Sequence, residues 1–256
     1  MLKFALLGEK LGHSYSPLLH RILFAEKGID ASYELLEIKK EDLKKYIDKI
    51  RSGEYQGFNV TIPYKIECMQ YLDYVDDIAK SIGAVNTIYL KDGKVCGTNT
   101  DYYGFLGELK YYRISPKGKN CYVLGTGGAS LAITNVLEDL GGYVKRVSRN
   151  PNSRDTISYS DYSKLKRCDI LINTTPVGMY PNILSCPLEK CDIEKADIAV
   201  DVIFNPQKTV FVACAKKGYG GLMMLLLQGA KSEDIWLNQT YDLNYSSIFK
   251  ELKRSI

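Results

Sequence analysis

Short apolar runs alternate with longer amphipathic stretches along most of the chain. Runs with the length and apolar content of strands lie at residues 3–7, 33–38 and 57–61. Between the first two, Ser16 and Pro17 are typical of a helix start and Gly28 of a helix end. The stretch 41–50 repeats its apolar residues at helical spacing. This alternation predicts an α/β fold with mainly parallel sheets.

The pair Asp92-Gly93 is a strong short-range signal. It lies between two runs that alternate apolar and polar residues, at 85–90 and 95–98. An Asp-Gly pair in this context favours a two-residue turn in which both residues have positive φ. The sequence therefore predicts an antiparallel hairpin here.

The character of the chain changes after Asp101, where a helical stretch and a polar linker precede a second series of strands. These strand-like runs lie at 121–124, 143–147, 169–173 and 198–204. Two predicted helices close the chain and can pack back on the first series. We therefore predict a domain of residues 1–101, completed by the helices within 223–256, and a second domain of residues 102–222.

Composition narrows the functional classes. The 256 residues are 45% hydrophobic and carry a net charge of +4 without a basic arm, so we expect no nucleic-acid partner. No apolar run approaches the roughly 20 residues of a membrane span, so we expect no membrane association and a cytoplasmic protein. The seven cysteines lack metal-binding spacing, and we expect reduced thiols and no metal site. We also expect a monomer or homodimer.

A glycine-rich turn directly follows the run 121–124 and precedes a helical stretch at 131–140. It consists of Gly125, Thr126, Gly127, Gly128 and Ala129. Glycines in a strand-to-helix turn let the backbone approach a pyrophosphate, whose charge the N–H groups at the helix start can bind. Ser130 occupies the position of the third glycine of the usual fingerprint. The context predicts a Rossmann-type dinucleotide-binding domain.

The end of the next strand favours one dinucleotide over another. The residues there are Ser148, Arg149, Asn150 and, shortly afterwards, Arg154. An NAD-binding domain usually ends this strand with Asp or Glu, which binds the ribose 2′-hydroxyl. Two guanidinium groups suit a 2′-phosphate instead, so the predicted cofactor is NADP. The alternative is that both arginines are ordinary surface residues.

Several polar residues of the first domain lie near predicted strand ends. They are Ser14, Ser16, Asn59, Thr61, Lys65, Asn86 and Asp101. Each has an ordinary alternative role as a cap, turn residue or surface charge, but ligands of open α/β sheets bind at strand ends. Lys65 falls in the first turn of a helix opened by Pro63, where the helix dipole disfavours a cation. Such a position suits a group that gives and takes a proton.

Together with the glycine turn, these segments resemble the shikimate and quinate dehydrogenase family. The resemblance extends over residues 8–236 and includes motifs at 173–179, 201–206 and 221–225, the last followed by Gln228. It implies an NADP-dependent oxidoreductase that interconverts 3-dehydroshikimate and shikimate in aromatic amino-acid biosynthesis. The hydride would pass between the nicotinamide and a ring carbon of this small acid.

The resemblance also implies roles for individual residues. The substrate-binding residues would be Ser14 and Ser16 on the carboxylate, with Asn59, Thr61, Asn86, Phe204 and Gln228 around the rest of the ring. Lys65 would donate the proton to the carbonyl oxygen, and Asp101 would orient both the amine and the hydroxyl. The cofactor-binding residues would be those of the glycine turn, then Ser148, Arg149, Asn150 and Arg154, with Thr174, Val202 and Gly221 beside the nicotinamide.

Three residues depart from the family pattern. Phe204 stands where the family usually has a tyrosine whose hydroxyl reaches the substrate, Ser148 replaces an asparagine, and Met223 replaces a small residue or proline. Losing one hydrogen bond of this kind slows turnover about ten- to a hundredfold unless a neighbour substitutes.

Two alternative functions stay open. A quinate or quinate/shikimate dehydrogenase using NAD is disfavoured by Ser16 and the arginines, and a dinucleotide-binding regulator with a dead site is supported by Phe204 alone.

Overall fold

The computed structural model describes residues 1–12 and 14–255, and His13 and Ile256 lie outside the described residues. Over these ranges the chain has the mixed α/β architecture that the alternating pattern predicts. No helix in the described part of the chain combines the length and the apolar character needed to cross a membrane.

The chain forms two compact units. Unit 1 comprises Met1–Gly104 and Leu226–Ile256, and unit 2 comprises Phe105–Leu225. The boundaries expected near residues 101 and 222 thus fall a few residues before the observed ones. They differ because each observed boundary lies inside a continuous helix, where the sequence gives no break in periodicity.

Twelve strands and eleven α-helices are found in the described residues. The strands are β1 (Leu2–Gly8), β2 (Ala31–Glu37), β3 (Gly57–Val60), β4 (Tyr74–Val75), β5 (Thr87–Lys91), β6 (Lys94–Thr98), β7 (Asn120–Leu124), β8 (Tyr143–Ser148), β9 (Thr156–Ser158), β10 (Cys168–Asn173), β11 (Ala196–Asp201) and β12 (Gly218–Gly220). The helices are α1 (Ser16–Lys27), α2 (Leu43–Arg51), α3 (Tyr64–Glu67), α4 (Asp77–Ile82), α5 (Thr100–Tyr111), α6 (Gly128–Asp139), α7 (Tyr159–Ser163), α8 (Lys190–Ile193), α9 (Val210–Cys214), α10 (Leu222–Trp236) and α11 (Tyr245–Ser255).

Unit 1 contains a six-stranded sheet in the order β2-β1-β3-β5-β6-β4. Strand β1 pairs in parallel with β2 and β3, whereas β5 is antiparallel to both β3 and β6. The hairpin predicted between β5 and β6 is confirmed, and Asp92 and Gly93 have φ values of 51° and 73°. Positive φ at both positions matches the right-handed twist of the two strands.

The core of unit 1 lies between this sheet and the helices that cover it. On α2, Leu43, Ile47 and Ile50 are fully buried, as their helical spacing predicts, and they belong to one apolar cluster with Phe58 and Ile88 of the sheet. Burying one such side chain contributes about 1.5–3 kcal/mol. The sheet is therefore a stable base for the polar residues at its strand ends.

Unit 2 contains a six-stranded, fully parallel sheet in the order β12-β11-β10-β7-β8-β9. Its register aligns Leu124, Asn173 and Asp201, the last residues of β7, β10 and β11, in one row. The segments that follow these strands consequently emerge at one edge, where parallel α/β sheets bind their ligands.

Two predicted bounds in unit 2 are wrong. The strand expected at 198–204 ends at Asp201, because the Asp201 side chain accepts a hydrogen bond from the Ile203 N–H and turns the chain. The helix expected at 131–140 already begins at Gly128, directly after the glycine turn.

Candidate active site

Lys65 and Asp101 form an ion pair at the polar end of the unit 1 sheet. Lys65 lies on α3, and Asp101 lies in the first turn of α5. The Lys65 ammonium donates a hydrogen bond to Asp101 Oδ2, and the two side chains are only 15% and 10% exposed. A pair that is mostly shielded from water but still reachable can exchange a proton with a bound small molecule.

Lys65 lies near the start of a helical segment, as the sequence predicts. Helix α3 continues directly into a 3₁₀ helix at Cys68–Tyr71, and Lys65 is the second residue of α3. The positive end of the helix dipole disfavours a cation at this position. The Asp101 carboxylate, which is distant in sequence, opposes this effect by pairing with the Lys65 ammonium.

Asn86 fixes the orientation of the Asp101 carboxylate. Its Nδ2 donates to Asp101 Oδ1 at 2.9 Å, leaving Oδ2 to Lys65. Its Oδ1 accepts from the Thr100 N–H at 2.7 Å, which prevents the amide from flipping. Asn99 Oδ1 also accepts from the Asp101 N–H at 3.1 Å. The carboxylate is therefore held by donors on both oxygens, and one of these donors is the amine.

Asn59 lies in a second cluster of polar side chains and is only 6% exposed. Its Oδ1 accepts from the Tyr33 hydroxyl at 2.9 Å, and its Nδ2 lies 3.1 Å from Thr87 Oγ1 and 3.0 Å from Ser232 Oγ. Burial is the main cause of a Tyr33 pKa well above the usual value, and the hydroxyl of Ser16 also bonds to this tyrosine. Tyr33 is therefore a protonated donor that connects Ser16 with Asn59.

The remaining predicted substrate residues are distributed around these two clusters. Ser14 Oγ donates to Ser16 Oγ at 3.1 Å and accepts from the Ser16 N–H at 3.3 Å, so the two serines form one group at the start of α1. Gln228 Oε1 lies 3.5 Å from Thr100 Oγ1. Thr61 is half-buried just after β3. All of these residues belong to unit 1.

Sequence reasoning did not single out four polar side chains of these clusters. They are Tyr33, Thr87, Thr100 and Ser232. A signal existed for three of them, because Thr87 and Thr100 are sequence neighbours of Asn86 and Asp101, and Ser232 lies one helical turn after Gln228. No such signal existed for Tyr33, because a tyrosine in a strand is usually explained by packing alone.

In unit 2, the glycine turn has the geometry that an anionic ligand requires. Gly125 has φ of 106°, and a Cβ there would lie 2.9 Å from Thr174 Oγ1, so a side chain is excluded. Ser130 Oγ donates to the Gly125 carbonyl at 2.8 Å, so the residue at the third glycine position closes the turn. Helix α6 starts with Gly127 at its N-cap, without a capping side chain or an acid in its first turn. Its first N–H groups are available to a phosphate.

The segment after β8 presents both predicted arginines to solvent. Arg149, Asn150 and Arg154 are exposed, and Ser148 Oγ accepts from the Asn150 N–H at 3.1 Å. Within residues 1–12 and 14–255, neither arginine pairs with a carboxylate at ion-pair distance. Two guanidinium groups without acidic partners can receive a phosphate.

Val202 and Gly221 lie against each other in unit 2. A Cβ on Gly221 would be 2.3 Å from the Val202 carbonyl oxygen, so the two backbones are in direct contact. Thr174 donates from its hydroxyl to the Leu124 carbonyl at 2.6 Å, beside the glycine turn. Phe204 lies in the loop after β11 and is partly buried. Thr174 and Val202 thus directly follow the aligned ends of β10 and β11, and Gly221 directly follows β12.

Comparison with known proteins agrees with this arrangement. The family described as "Shikimate dehydrogenase substrate binding domain" matches residues 6–88. The "Shikimate dehydrogenase (NADP(+))" of Clostridium beijerinckii is 44% identical, with 91% of each chain covered.

Solved structures show the same similarity over the whole chain. A chorismate mutase/shikimate 5-dehydrogenase fusion protein from Clostridium acetobutylicum is 39% identical with a TM-score of 0.96, covering 100% of this chain and 98% of that one. The shikimate 5-dehydrogenase of Thermus thermophilus, solved in complex with NADP(H) and shikimate, is 32% identical with a TM-score of 0.89 and full coverage of both chains. The chain belongs to the shikimate dehydrogenase family.

Proposed function

We propose that this protein is an NADP-dependent oxidoreductase that interconverts 3-dehydroshikimate and shikimate, a step of aromatic amino-acid biosynthesis. The observation that carries this proposal is the shielded Lys65–Asp101 pair with Asn86 on the second carboxylate oxygen. Relatives named for this activity, one of them solved with both NADP(H) and shikimate, support the choice of reaction.

We assign substrate binding to unit 1. The paired hydroxyls of Ser14 and Ser16 suit a carboxylate, because two neighbouring hydroxyls can both donate to it. Amide and hydroxyl groups suit the ring hydroxyls of a small polyol acid; the residues proposed for this contact are Asn59, Thr61, Asn86 and Gln228.

Lys65 and Asp101 move the proton of the reaction. During reduction, the Lys65 ammonium donates a proton to the carbonyl oxygen, and in the reverse direction the amine accepts it from the hydroxyl. The Asp101 carboxylate stabilises the Lys65 ammonium and keeps it oriented, because the ammonium donates a hydrogen bond to Asp101 Oδ2. When bound, NADPH supplies the hydride.

The residues of unit 2 fit NADP. The turn formed by Gly125, Thr126, Gly127, Gly128 and Ala129 would hold the pyrophosphate at the start of α6, where a Cβ on Gly127 would meet open space. Ser148, Arg149, Asn150 and Arg154 would hold the 2′-phosphate. Thr174, Val202 and Gly221 would contact the nicotinamide side. We also propose that the enzyme acts in the cytoplasm, because its seven cysteines are free thiols that suit a reducing compartment.

The test is nicotinamide absorbance with purified protein, using shikimate or quinate as substrate and NADP or NAD as cofactor. We expect rapid turnover only with shikimate and NADP. Faster turnover of quinate with NAD would replace the proposal by a quinate dehydrogenase. Four flat traces together with NADP binding would identify a regulator without catalysis.

A further inference from the structure

Three buried hydroxyls form a closed triangle inside unit 1. They belong to Thr87 on β5, Thr100 on α5 and Ser232 on α10, and each of these residues is fully buried. Their oxygens are separated by 3.1 Å between the two threonines and by 3.0 Å from Ser232 to each of them. We call these three residues the hydroxyl triangle. It joins one strand and two helices that are distant in sequence.

Each hydroxyl has one proton, and this limits how the triangle can be bonded. Ser232 donates to the main-chain carbonyl of Gln228 at 3.0 Å, so its lone pairs face the other groups. One of them accepts from Asn59 Nδ2 at 3.0 Å. Thr87 donates to Asn86 Oδ1 at 3.0 Å and lies 3.1 Å from Asn59 Nδ2, which also donates to the Asn86 carbonyl at 3.3 Å. The triangle thus fixes the amides of Asn59 and Asn86 at once.

Helix α10 is anchored at two positions that follow Ser232. The adjacent Glu233 is fully buried and contacts His20 Nδ1 at 2.7 Å and Lys27 Nζ at 3.1 Å. One turn after Ser232, Trp236 donates from its indole N–H to the carbonyl of Ile88, the residue after Thr87, at 3.0 Å. Because this part of the helix is held, Ser232 has little freedom to adjust when a partner is lost.

We propose that Ser232 is a positioning residue for substrate binding. It acts through the hydroxyl triangle on the amides of Asn59 and Asn86, which the proposed function places on the ring hydroxyls. This inference rests on the proposed function. The hydroxyl itself is fully buried and already fully bonded, so its effect is to preorganise the amides before the substrate arrives.

Ser232→Ala tests this role directly. It removes the nearest of the three acceptors around Asn59 Nδ2 and leaves the Thr87 hydroxyl and the Asn86 carbonyl, so the Asn59 amide loses its fixed orientation. We therefore expect the KM for shikimate to rise roughly tenfold. The value of kcat should stay within about twofold, because the Asn86 amide keeps its hydrogen bonds from the Thr100 N–H and to Asp101. The KM for NADP should not change. Tyr55→Phe is the matched control. It removes a partly buried hydroxyl of unit 1, which donates to Glu34 at 2.5 Å, and should leave all three constants unchanged.

A second variant, Thr87→Val, keeps the volume of the side chain but removes its hydroxyl. It should also raise the KM for shikimate, and the double variant should show less than the product of the two single effects, because both act on one network. Circular dichroism verifies that each variant is folded. An unchanged KM in folded Ser232→Ala, multiplicative effects in the double variant, or an equal rise in Tyr55→Phe would each overturn the assignment.

The wild-type chain separates this inference from the proposed function. If it does not turn over shikimate, the proposed function fails and the role of Ser232 fails with it. If wild type turns over shikimate while Ser232→Ala has the wild-type KM, only the role of Ser232 fails.

Discussion

Replacing Asp201 with Asn changes a carboxylate that unit 2 buries completely. Its Oδ1 accepts from the Ile203 N–H at 3.0 Å and from Asn173 Nδ2 at 3.1 Å, and its Oδ2 accepts from the Thr209 hydroxyl at 2.7 Å. Burial outweighs these hydrogen bonds and raises the pKa of Asp201 from 3.8 to about 6. Asn keeps one acceptor for Ile203 and Asn173, and its amide can donate to Thr209 instead.

The sign of the pH effect follows from this raised pKa. Below pH 3.8 the carboxyl is protonated in the folded and unfolded states, so it does not affect the free energy of unfolding. As the pH rises towards 6, the unfolded state ionises first and the folded state is destabilised. A difference of about two pKa units at about 1.4 kcal/mol each corresponds to about 3 kcal/mol, all of it present above pH 6. We expect Asp201→Asn to abolish this loss.

Urea unfolding at a series of pH values from about 4 to 7 measures the effect. Circular dichroism follows both units, whereas fluorescence of Trp236, the single tryptophan, follows unit 1. The quantity to compare is the free energy of unfolding in the unit 2 transition. The value for Asp201→Asn minus the value for wild type should rise by about 3 kcal/mol over this pH range. A difference that stays constant with pH would refute the reasoning, because the folded pKa would then equal the unfolded one.

Asp192 supplies a control of opposite sign in the same unit. Burial raises the pKa of this carboxyl, but hydrogen bonds from Lys195 and Ser163 outweigh burial and the net pKa is lowered. Its stabilising contribution is therefore present above the unfolded pKa and lost as the pH falls through the folded one. Asp192→Asn should lose stability relative to wild type as the pH rises. Equal slopes in the two variants would show that a general charge effect, and not burial, causes the result.

Five other substitutions test the proposed catalytic, substrate-binding and cofactor-binding residues. Lys65→Ala or Asp101→Asn should lower kcat by about a hundredfold or more with NADP affinity intact, and wild-type turnover in either would exclude the acid/base pair. Arg149→Asp should raise the KM for NADP at least about tenfold and leave that for NAD nearly constant; equal effects would separate Arg149 from the 2′-phosphate. Phe204→Tyr should leave kcat unchanged or raise it up to about tenfold, whereas a large loss would mean that the pocket is built differently. Gly125→Ala should weaken NADP binding measured by titration, because its φ of 106° excludes a side chain, and unchanged affinity would argue against a phosphate-binding turn.

Local signals predicted the parts of the fold that depend on a few neighbouring residues. The Asp92-Gly93 hairpin forms as expected, because both residues adopt the positive φ that the turn requires. The glycine turn lies between β7 and α6 as expected. In each case the residues that specify the conformation are adjacent in the chain, so no distant contact is needed to predict it.

Distant contacts explain what the sequence did not predict. Thr87, Thr100 and Ser232 adjoin predicted site residues in sequence, but no motif shows that their hydroxyls meet. The early end of β11 combines the local hydrogen bond from the Ile203 N–H with distant contacts. Asp201 turns the chain because its side chain also bonds to Asn173 of the neighbouring strand and to Thr209 eight residues ahead.

Lys65 shows how the contact that matters can differ from the one a local pattern suggests. The helix start at Pro63 predicts an unfavourable dipole at Lys65, the second residue of α3. Asp101 opposes this dipole by pairing with the cation, and Asn86 prevents the carboxylate from turning both oxygens towards Lys65. The Lys65 ammonium is therefore oriented by one of its three N–H groups, and the other two can point elsewhere. One of them can donate to a substrate oxygen without breaking the ion pair, so the proton transfer proposed for Lys65 requires no rearrangement of Asp101.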